Sequence, residues 1–294
     1  MAIFKGSGVA IVTPFQADNE VNYQQLEQLI NFQIENGTDS IIIAGTTGES
    51  ATLTTQEHKN CIQAAVACVK GRVPVIAGTG SNNTEHAVEL TKTAEKCGAD
   101  AVLAVTPYYN KATQKGLIQY YTRIAGASSL PVIMYNVPSR TGCNILPNTA
   151  AVLAKEVENI TAVKDATGNI SQTMEMMELA EGNLDLYSGN DDQVIPLLSA
   201  GGIGVISVLA NIAPRQTHDM VMEYLNGNRE QALQLQLKAL PLIRALFSQV
   251  NPIPVKAALG LMGRLTGGIR EPLTPMEEEY AERLKQEMKA YGIL

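Results

Sequence analysis

Short apolar runs, rich in β-branched residues, recur along the chain at intervals of about 25 to 30 residues, as the strands of βα units do. There are eight of them, at residues 8–14, 40–48, 74–80, 101–109, 131–138, 160–168, 184–192 and 203–211. Apolar residues stand at odd and even positions alike, so both faces of each run are apolar. This pattern is typical of a parallel sheet that is covered by helices on both sides.

The segments between these runs have helical periodicity. The clearest is 23–36, where apolar residues follow an i, i+3, i+4, i+8 spacing at Leu26, Leu29, Ile30 and Ile34. Further helices are predicted over 56–70, 84–97, 114–126, 148–156, 171–181 and 192–200. Strands that alternate with helices in this way predict an α/β fold.

Start signals support two of these helices. Thr54 with Glu57, and Asn82 with Glu85, have the spacing of a capping box, in which the two side chains bond each other's backbone N–H groups. The segments from 56 and from 84 are therefore expected to begin as helices close to these residues.

Eight βα units without an interrupting domain favour a closed (β/α)8 barrel of the TIM type. An open doubly wound sheet has the same period and stays as the alternative. After the eighth run the chain becomes helical, at 215–226, 229–248, 252–263 and 276–291, and Thr274-Pro275 with Glu277 resembles a capping box for the last helix. We therefore expect a catalytic barrel over residues 1–226 and an appended C-terminal helical subdomain over residues 227–294.

Composition excludes several classes of protein. The net charge is −7 and the 22 Lys and Arg are scattered, which argues against a nucleic-acid partner. No apolar run approaches the length of a membrane span, and residues 1–15 lack the pattern of a signal or transit peptide. The 4 cysteines form no C-x-x-C pair, which suits a reducing cytoplasm better than a disulfide scaffold or a zinc site. We therefore expect a cytoplasmic protein.

Polar and small residues gather where the predicted strands end, which is where barrels of this kind carry their chemistry. The apolar part of the sixth run ends at Lys164. A single lysine at such a place is usually a solvated charge, but here other polar groups are expected to converge on it. The motif "GTTGES" at 45–50 overlaps the end of the second run and has two interpretations. It is either a plain strand-to-helix turn, or a loop whose N–H and hydroxyl groups bind a carboxylate.

Two more residues at strand ends also have two interpretations each. Tyr135 is either a packed ring or an acid–base group that faces Lys164 from the neighbouring strand. Arg140 is either a rim charge or a bidentate partner of a substrate carboxylate. The three histidines, His58, His86 and His218, fall within predicted helices and are interpreted as non-catalytic.

No metal-ligand spacing and no cofactor loop accompany these residues, since "GTGSNN" at 78–83 lacks the third glycine of a dinucleotide fingerprint. A lysine among hydroxyl groups then suggests covalent catalysis. A desolvated lysine loses its proton readily and attacks a ketone to form a Schiff base, which makes the neighbouring carbon acidic. The hypothesis from the residues is an enzyme that uses no cofactor and no metal and acts on a carbonyl acid.

Four motifs together resemble the dihydrodipicolinate synthase family, which belongs with N-acetylneuraminate lyase to the pyruvate-dependent class I aldolases. They are "GTTGES" at 45–50, "TPYYN" at 106–110, "YNVPSRTG" at 135–142 and "VKDATGN" at 163–169. The resemblance runs in order along the whole chain, from "GVAIVTPF" to "NPIPVK" at 251–256. It implies a lyase that condenses pyruvate with L-aspartate 4-semialdehyde in lysine and diaminopimelate biosynthesis.

The resemblance also implies a role for each matching residue. Lys164 would form the Schiff base with pyruvate, and Tyr135, Thr46 and Tyr109 would relay protons, with Tyr109 reaching in from a neighbouring subunit. Thr46 and Thr47 would hold the pyruvate carboxylate, and Arg140 that of the semialdehyde. Gly189 and the carbonyl of Ile206 would line the pocket. The expected assembly is a homotetramer built as a dimer of dimers.

The resemblance bears on feedback inhibition by lysine as well. Family members that lysine inhibits have an interface site whose residues correspond here to Ser50, Ala51, Thr55, His58, Asn82, His86 and Tyr108. Thr55 stands where those members have histidine, and His86 where they have the glutamate that holds the lysine ammonium group. The sequence therefore predicts weak inhibition or none.

Two other functions stay open at this point. One is a sister pyruvate aldolase, such as an N-acetylneuraminate or keto-deoxy-sugar lyase, which generally lacks the arginine of "VPSRTG". The other is a barrel that binds a small acid without turnover, although a binding protein has no need of a nucleophilic lysine.

Overall fold

A computed structural model describes residues 2–294 and contains a closed barrel of eight parallel strands in chain order. The eighth strand pairs with the first, with Gly8 opposite Ile206. The strands are Gly6–Ala10 (β1), Ser40–Ile43 (β2), Val75–Gly78 (β3), Ala101–Val105 (β4), Val132–Asn136 (β5), Ile160–Asp165 (β6), Asp185–Ser188 (β7) and Gly204–Ser207 (β8). The barrel prediction is confirmed, and the open doubly wound alternative is wrong.

Helices follow every strand and cover the outside of the barrel. They are Tyr23–Glu35 (α1), Thr55–Val69 (α2), Thr84–Cys97 (α3), Gln114–Ala125 (α4), Pro138–Thr141 (α5), Pro147–Glu156 (α6), Ile170–Ala180 (α7), Val194–Ser199 (α8), Pro214–Leu225 (α9), Arg229–Leu246 (α10), Ile253–Leu261 (α11) and Glu278–Tyr291 (α12). Three short 3₁₀ helices lie at Ser50–Thr52, Asp191–Gln193 and Leu209–Asn211. Every predicted helix is present, but α5 and the 3₁₀ helices are too short to leave a periodic pattern.

One of the three proposed capping boxes is confirmed. Thr54 and Glu57 exchange side-chain and backbone bonds at the start of α2. The other two are wrong: Asn83, not Asn82, caps α3, and α12 begins at Glu278 without a box at Thr274. Before α12, the Gln249 side chain accepts from the N–H of Glu277 and donates to its carboxylate. A tertiary contact therefore replaces the local cap.

The pleat of the strands decides which side chains enter the barrel. Alternate residues of a strand point to opposite faces. Ile133, Ala162 and Ile206 belong to the apolar cluster that fills the interior, whereas Met134 and Val163 pack outwards against the helices. Lys164 lies two residues after Ala162, and Tyr135 two after Ile133. Both side chains therefore project inwards.

The C-terminal helices pack on the outside of the barrel and on one another, with α10 against α9 and α12 against α10. The segment between α10 and α11, residues 247–252, crosses the end of the barrel where the strands finish and contributes to the cavity there. A division of the chain after residue 226 stays a prediction. None of the helices within residues 2–294 combines the length and apolar character that a bilayer span requires.

Candidate active site

Lys164 lies at the C-terminal end of β6 with only 6% of its surface exposed. In the barrel register its direct partner on β5 is Tyr135. The Nζ atom of Lys164 is 4.3 Å from the centre of the Tyr135 ring. The two residues that the sequence placed on neighbouring strands are therefore in contact inside the barrel.

The environment of Lys164 favours its neutral form. Burial lowers the pKa of the amine from its ordinary value of 10.5 to about 7, and the positive charge of Arg140 acts in the same direction. The carboxylate of Asp191 opposes both. The result is an amine whose neutral, nucleophilic form is well populated near neutral pH.

The environment of Tyr135 favours the protonated form of its phenol. Burial raises the pKa of its phenol, while Arg140 and the side chain of Thr46 oppose that rise. The phenol is therefore protonated at neutral pH, beside an amine that is partly deprotonated there. A pair of groups arranged in this way can pass a proton to and from a reacting atom between them.

The aspartate that follows the lysine faces the other way. Asp165 accepts hydrogen bonds from the N–H of Thr167 and from the hydroxyl of Thr173 on α7. It therefore fixes the turn between β6 and α7. Because side chains alternate along a strand, Lys164 points into the cavity and Asp165 points towards the turn.

The "GTTGES" loop forms a tight turn after β2. The N–H groups of Gly48 and Ser50 both bond back to the carbonyl of Gly45. Thr13 donates its hydroxyl to the carbonyl of Gly48 at 2.7 Å, and Asn251 donates its side-chain N–H to the hydroxyl of Thr47 at 3.0 Å. The turn is thus fixed from two sides with Thr46 and Thr47 at the cavity.

A cavity of about 570 Å³ opens at this end of the barrel. Its walls contain six of the residues proposed from sequence: Thr46, Thr47, Tyr135, Arg140, Lys164 and Gly189. Gly189 is required by space, since a Cβ atom there would lie 3.1 Å from Cε of Lys164 and 2.8 Å from Cβ of Ala166. The cavity is large enough for two small acids.

Two proposed residues do not line the cavity of their own chain. Tyr109 projects from the surface with 91% of its area exposed and a left-handed backbone, at φ 71°. Ile206 is fully buried in the barrel interior, and Val208 lines the cavity beside it. Arg140 stands at the rim, where its guanidinium donates to the carbonyl of Asn251 at 3.3 Å.

Sequence reasoning missed the contribution of the C-terminal segment. Phe247, Gln249, Val250 and Asn251 all line the cavity. It also missed Asp191, which lies close enough to Lys164 to affect its pKa and accepts from Ser207, Val208 and Leu209 at the end of β8. For the C-terminal segment, the available signal in the sequence was the polar stretch "SQVN" at 248–251, which interrupts two apolar helices.

The histidines lie outside the cavity walls. His58 contacts the carbonyl of Gly78 through Nε2 at 2.7 Å, and His218 pairs with Asp39 at 2.8 Å near the start of β2. His86 is 3.9 Å from the carboxylate of Glu89. Among residues 2–294, no three His, Cys, Asp or Glu side chains are grouped as metal ligands would be.

Comparisons with known proteins agree on one family. The model of the dihydrodipicolinate synthetase family matches residues 3–291. A 4-hydroxy-tetrahydrodipicolinate synthase of Lachnoclostridium phytofermentans is 62% identical over 294 residues and 100% of both chains, and one of Caldicellulosiruptor bescii is 55% identical over 100% of this chain and 99% of its own. The crystal structure of a dihydrodipicolinate synthase of Acinetobacter baumannii, complexed with pyruvate, superposes with a TM-score of 0.96 at 46% identity and 99% coverage of each chain.

Proposed function

The chain belongs to the dihydrodipicolinate synthetase family, and we propose that Lys164 is the nucleophile through which it carries out the reaction of that family. The protein is a Schiff-base-forming lyase that condenses pyruvate with L-aspartate 4-semialdehyde to give 4-hydroxy-tetrahydrodipicolinate, the first committed step of lysine and diaminopimelate biosynthesis. The observation that carries the proposal for Lys164 is its burial beside Tyr135, with a pKa lowered to about 7.

The proposed reaction begins when the neutral amine of Lys164 attacks the ketone carbon of pyruvate. The carbinolamine loses water to give a protonated imine, and the methyl carbon next to it loses a proton to give an enamine. The enamine attacks the aldehyde carbon of the semialdehyde. The amino group of the bound semialdehyde then displaces Lys164 from the imine carbon, which closes the ring and frees the enzyme.

The remaining residues have supporting roles in this proposal. Tyr135 exchanges protons with the carbinolamine, as its contact with Lys164 and its protonated state would allow. Thr46 and Thr47 hold the pyruvate carboxylate at the turn after β2. Arg140 binds the carboxylate of the semialdehyde, and Gly189 leaves room for Lys164 and its adduct.

We further propose that a second subunit completes the site. Tyr109 is too exposed to serve its own cavity, which supports a relay in which it enters the site of a neighbouring subunit beside Thr46 and Tyr135. A homotetramer built as a dimer of dimers would provide this arrangement. The carbonyl of Ile206 is proposed to line the pocket near Val208. We place the protein in the cytoplasm, where it would act without a cofactor.

Coupled turnover tests the substrate assignment. The rate with pyruvate and aspartate semialdehyde should exceed by far the rate of N-acetylneuraminate cleavage measured under the same conditions. A preference for the sugar acid would mean a sister aldolase, and no turnover of either substrate would favour a binding protein.

Arg140→Lys should reduce kcat/KM for aspartate semialdehyde about 10- to 100-fold, because a lysine keeps the charge but loses the bidentate fork. The KM for pyruvate should change far less. Initial rates with each substrate varied in turn measure both effects. Equal losses for the two substrates would show that Arg140 organises the whole site and does not recognise one carboxylate.

The formation of the pyruvate adduct should rise with pH through about 7, since the free amine of Lys164 is the attacking form and its pKa is lowered to about that value. An amine with the ordinary pKa of 10.5 would give a midpoint near that value. The measurement is the initial rate of covalent labelling by pyruvate and cyanoborohydride between about pH 5.5 and 10. A midpoint above pH ~9 would contradict the desolvated amine.

Lysine should inhibit the enzyme with a half-effect at about 1 mM or above, because two nearby glutamates are already paired with cations and the third expected carboxylate is absent. Glu85 pairs with Arg123 at 2.6 Å, and Glu49 pairs with Lys256 at 2.6 Å. His86 replaces the glutamate that the resemblance would require. An initial-rate titration with L-lysine at half-saturating pyruvate measures the effect.

The matched variant for this titration is His86→Glu, which should strengthen lysine inhibition if the missing carboxylate is the cause. Inhibition of the parent by sub-millimolar lysine, or unchanged inhibition in His86→Glu, would mean that groups other than residue 86 determine lysine binding.

A further inference from the structure

A second buried lysine, remote from Lys164 in sequence, forms an ion pair at the back of the "GTTGES" turn. Nζ of Lys256 on α11 lies 2.6 Å from Oε1 of Glu49, and the two side chains are 5% and 2% exposed. The residues are 207 positions apart. The pair therefore joins the C-terminal helices directly to the loop after β2.

Both oxygen atoms of the Glu49 carboxylate accept hydrogen bonds. Oε1 accepts from Lys256, and Oε2 accepts the backbone N–H of Arg270 at 3.0 Å. The residue itself has a left-handed backbone, with φ 54°, immediately after Gly48. A residue other than glycine adopts this conformation at a cost, so contacts in the surrounding structure must hold it there.

An aromatic ring and a second cation lie close to the ammonium of Lys256. Its ammonium lies 4.3 Å from the centre of the Phe15 ring, and the guanidinium of Arg270 lies 4.2 Å from the centre of the same ring. The cations have separate partners, since Lys256 pairs with Glu49 whereas the guanidinium of Arg270 pairs with Glu57. A buried pair of this kind adds little stability compared with apolar residues of the same size, which makes a role in fixing geometry the better account.

Glu49 follows the threonines of the turn by two and three positions, and its N–H bonds to the carbonyl of Thr46 at 3.1 Å. Movement of Glu49 would therefore move Thr46. Thr47 is tied to the same C-terminal segment through Asn251, five residues before Lys256. The turn thus has two anchors on one short stretch of chain.

We propose that the Glu49–Lys256 ion pair is a positioning device that fixes the turn at 45–48 in the conformation that binds the carboxylate of pyruvate. The inference rests on the proposed function and extends it to residues outside the cavity. Neither residue lines the cavity. Their loss should weaken the binding of pyruvate much more than it slows the chemistry at Lys164.

Lys256→Met is the direct test, and it leaves the buried carboxylate of Glu49 without its cationic partner. Glu49→Gln with Lys256→Met removes both charges and keeps nearly the same volume, so it tests positioning in a protein without an unpaired buried charge. Lys256→Arg keeps the charge. The matched control is His218→Gln, which breaks an ion pair with Asp39 near the start of β2, away from the cavity.

The half-saturating pyruvate concentration for borohydride trapping and the KM for pyruvate should rise about 10- to 100-fold in Lys256→Met and in the double variant. The kcat at saturating pyruvate and the KM for aspartate semialdehyde should stay within about threefold of the parent, and Lys256→Arg should recover part of the loss. His218→Gln should lower the melting temperature without changing the pyruvate constants.

An unchanged pyruvate constant in the folded double variant would overturn the inference. So would a rise in His218→Gln equal to that in Lys256→Met, since pyruvate binding would then follow overall stability alone. Trapping of the parent by pyruvate separates this outcome from a failure of the proposed function. If pyruvate does not trap the parent, the proposed function fails. If pyruvate traps the parent and the variants keep the pyruvate constants of the parent, only the positioning role is refuted.

Discussion

Lys164→Ala is expected to yield a folded protein that pyruvate and borohydride no longer label and whose turnover falls by about three orders of magnitude or more. An alanine side chain cannot form an imine, so the enamine that attacks the aldehyde is never made. The substitution also removes a desolvated amine without taking a hydrogen bond from any other buried group, and the fold should tolerate it. Mass spectrometry of the peptide that contains residue 164, after reduction with pyruvate present, measures the labelling.

Two further variants make this result specific. Lys164→Arg keeps a positive charge but forms no productive imine, so it should be as inactive as the alanine variant. Lys155→Ala removes a lysine that pairs with Glu181 on the outside of the barrel and should be labelled like the parent. Labelling that persisted in either Lys164 variant would mean that another lysine is the nucleophile.

Tyr135→Phe should keep the binding of pyruvate and lose about two to four orders of magnitude in kcat. The ring that packs 4.3 Å from the amine of Lys164 is retained, whereas the hydroxyl that would exchange protons with the carbinolamine is lost. The effect should therefore lie in the rate at saturating substrate and not in the KM for pyruvate. Single-turnover formation of the trapped adduct should slow by a similar factor.

Tyr121→Phe is the control for the loss of a buried phenol. Tyr121 is also fully buried, but it donates to the carbonyl of Ala104 outside the cavity walls. Its variant should lose stability and keep a kcat close to that of the parent. If Tyr135→Phe retained a kcat within a few-fold of the parent, Tyr135 would be a packing residue and the relay would need another hydroxyl.

The sequence by itself determined the order of the elements and the polarity of the barrel. Strands such as 160–165 arise from short runs that are apolar on both faces, and helices such as 55–69 from an apolar period of 3.6 residues; both are local properties of the chain. Because parallel strands present their C-terminal ends together, the same local pattern also indicated that Lys164, Tyr135 and the "GTTGES" turn belong to one region. The roles of these residues in catalysis stay predictions.

Only the tertiary structure decided that the sheet closes and which distant groups complete the cavity. Closure depends on the register between Gly8 and Ile206, which no local pattern records. Asn251 at Thr47, and Lys256 at Glu49, are brought together across more than two hundred residues of chain. The sequence around Lys256 resembles an ordinary apolar helix start, because a charge that is neutralised by a remote partner leaves no periodic signal. Hydrophobic patterning fixes which face of an element is buried, whereas the pairing of buried polar groups depends on contacts that exist only after the chain has folded.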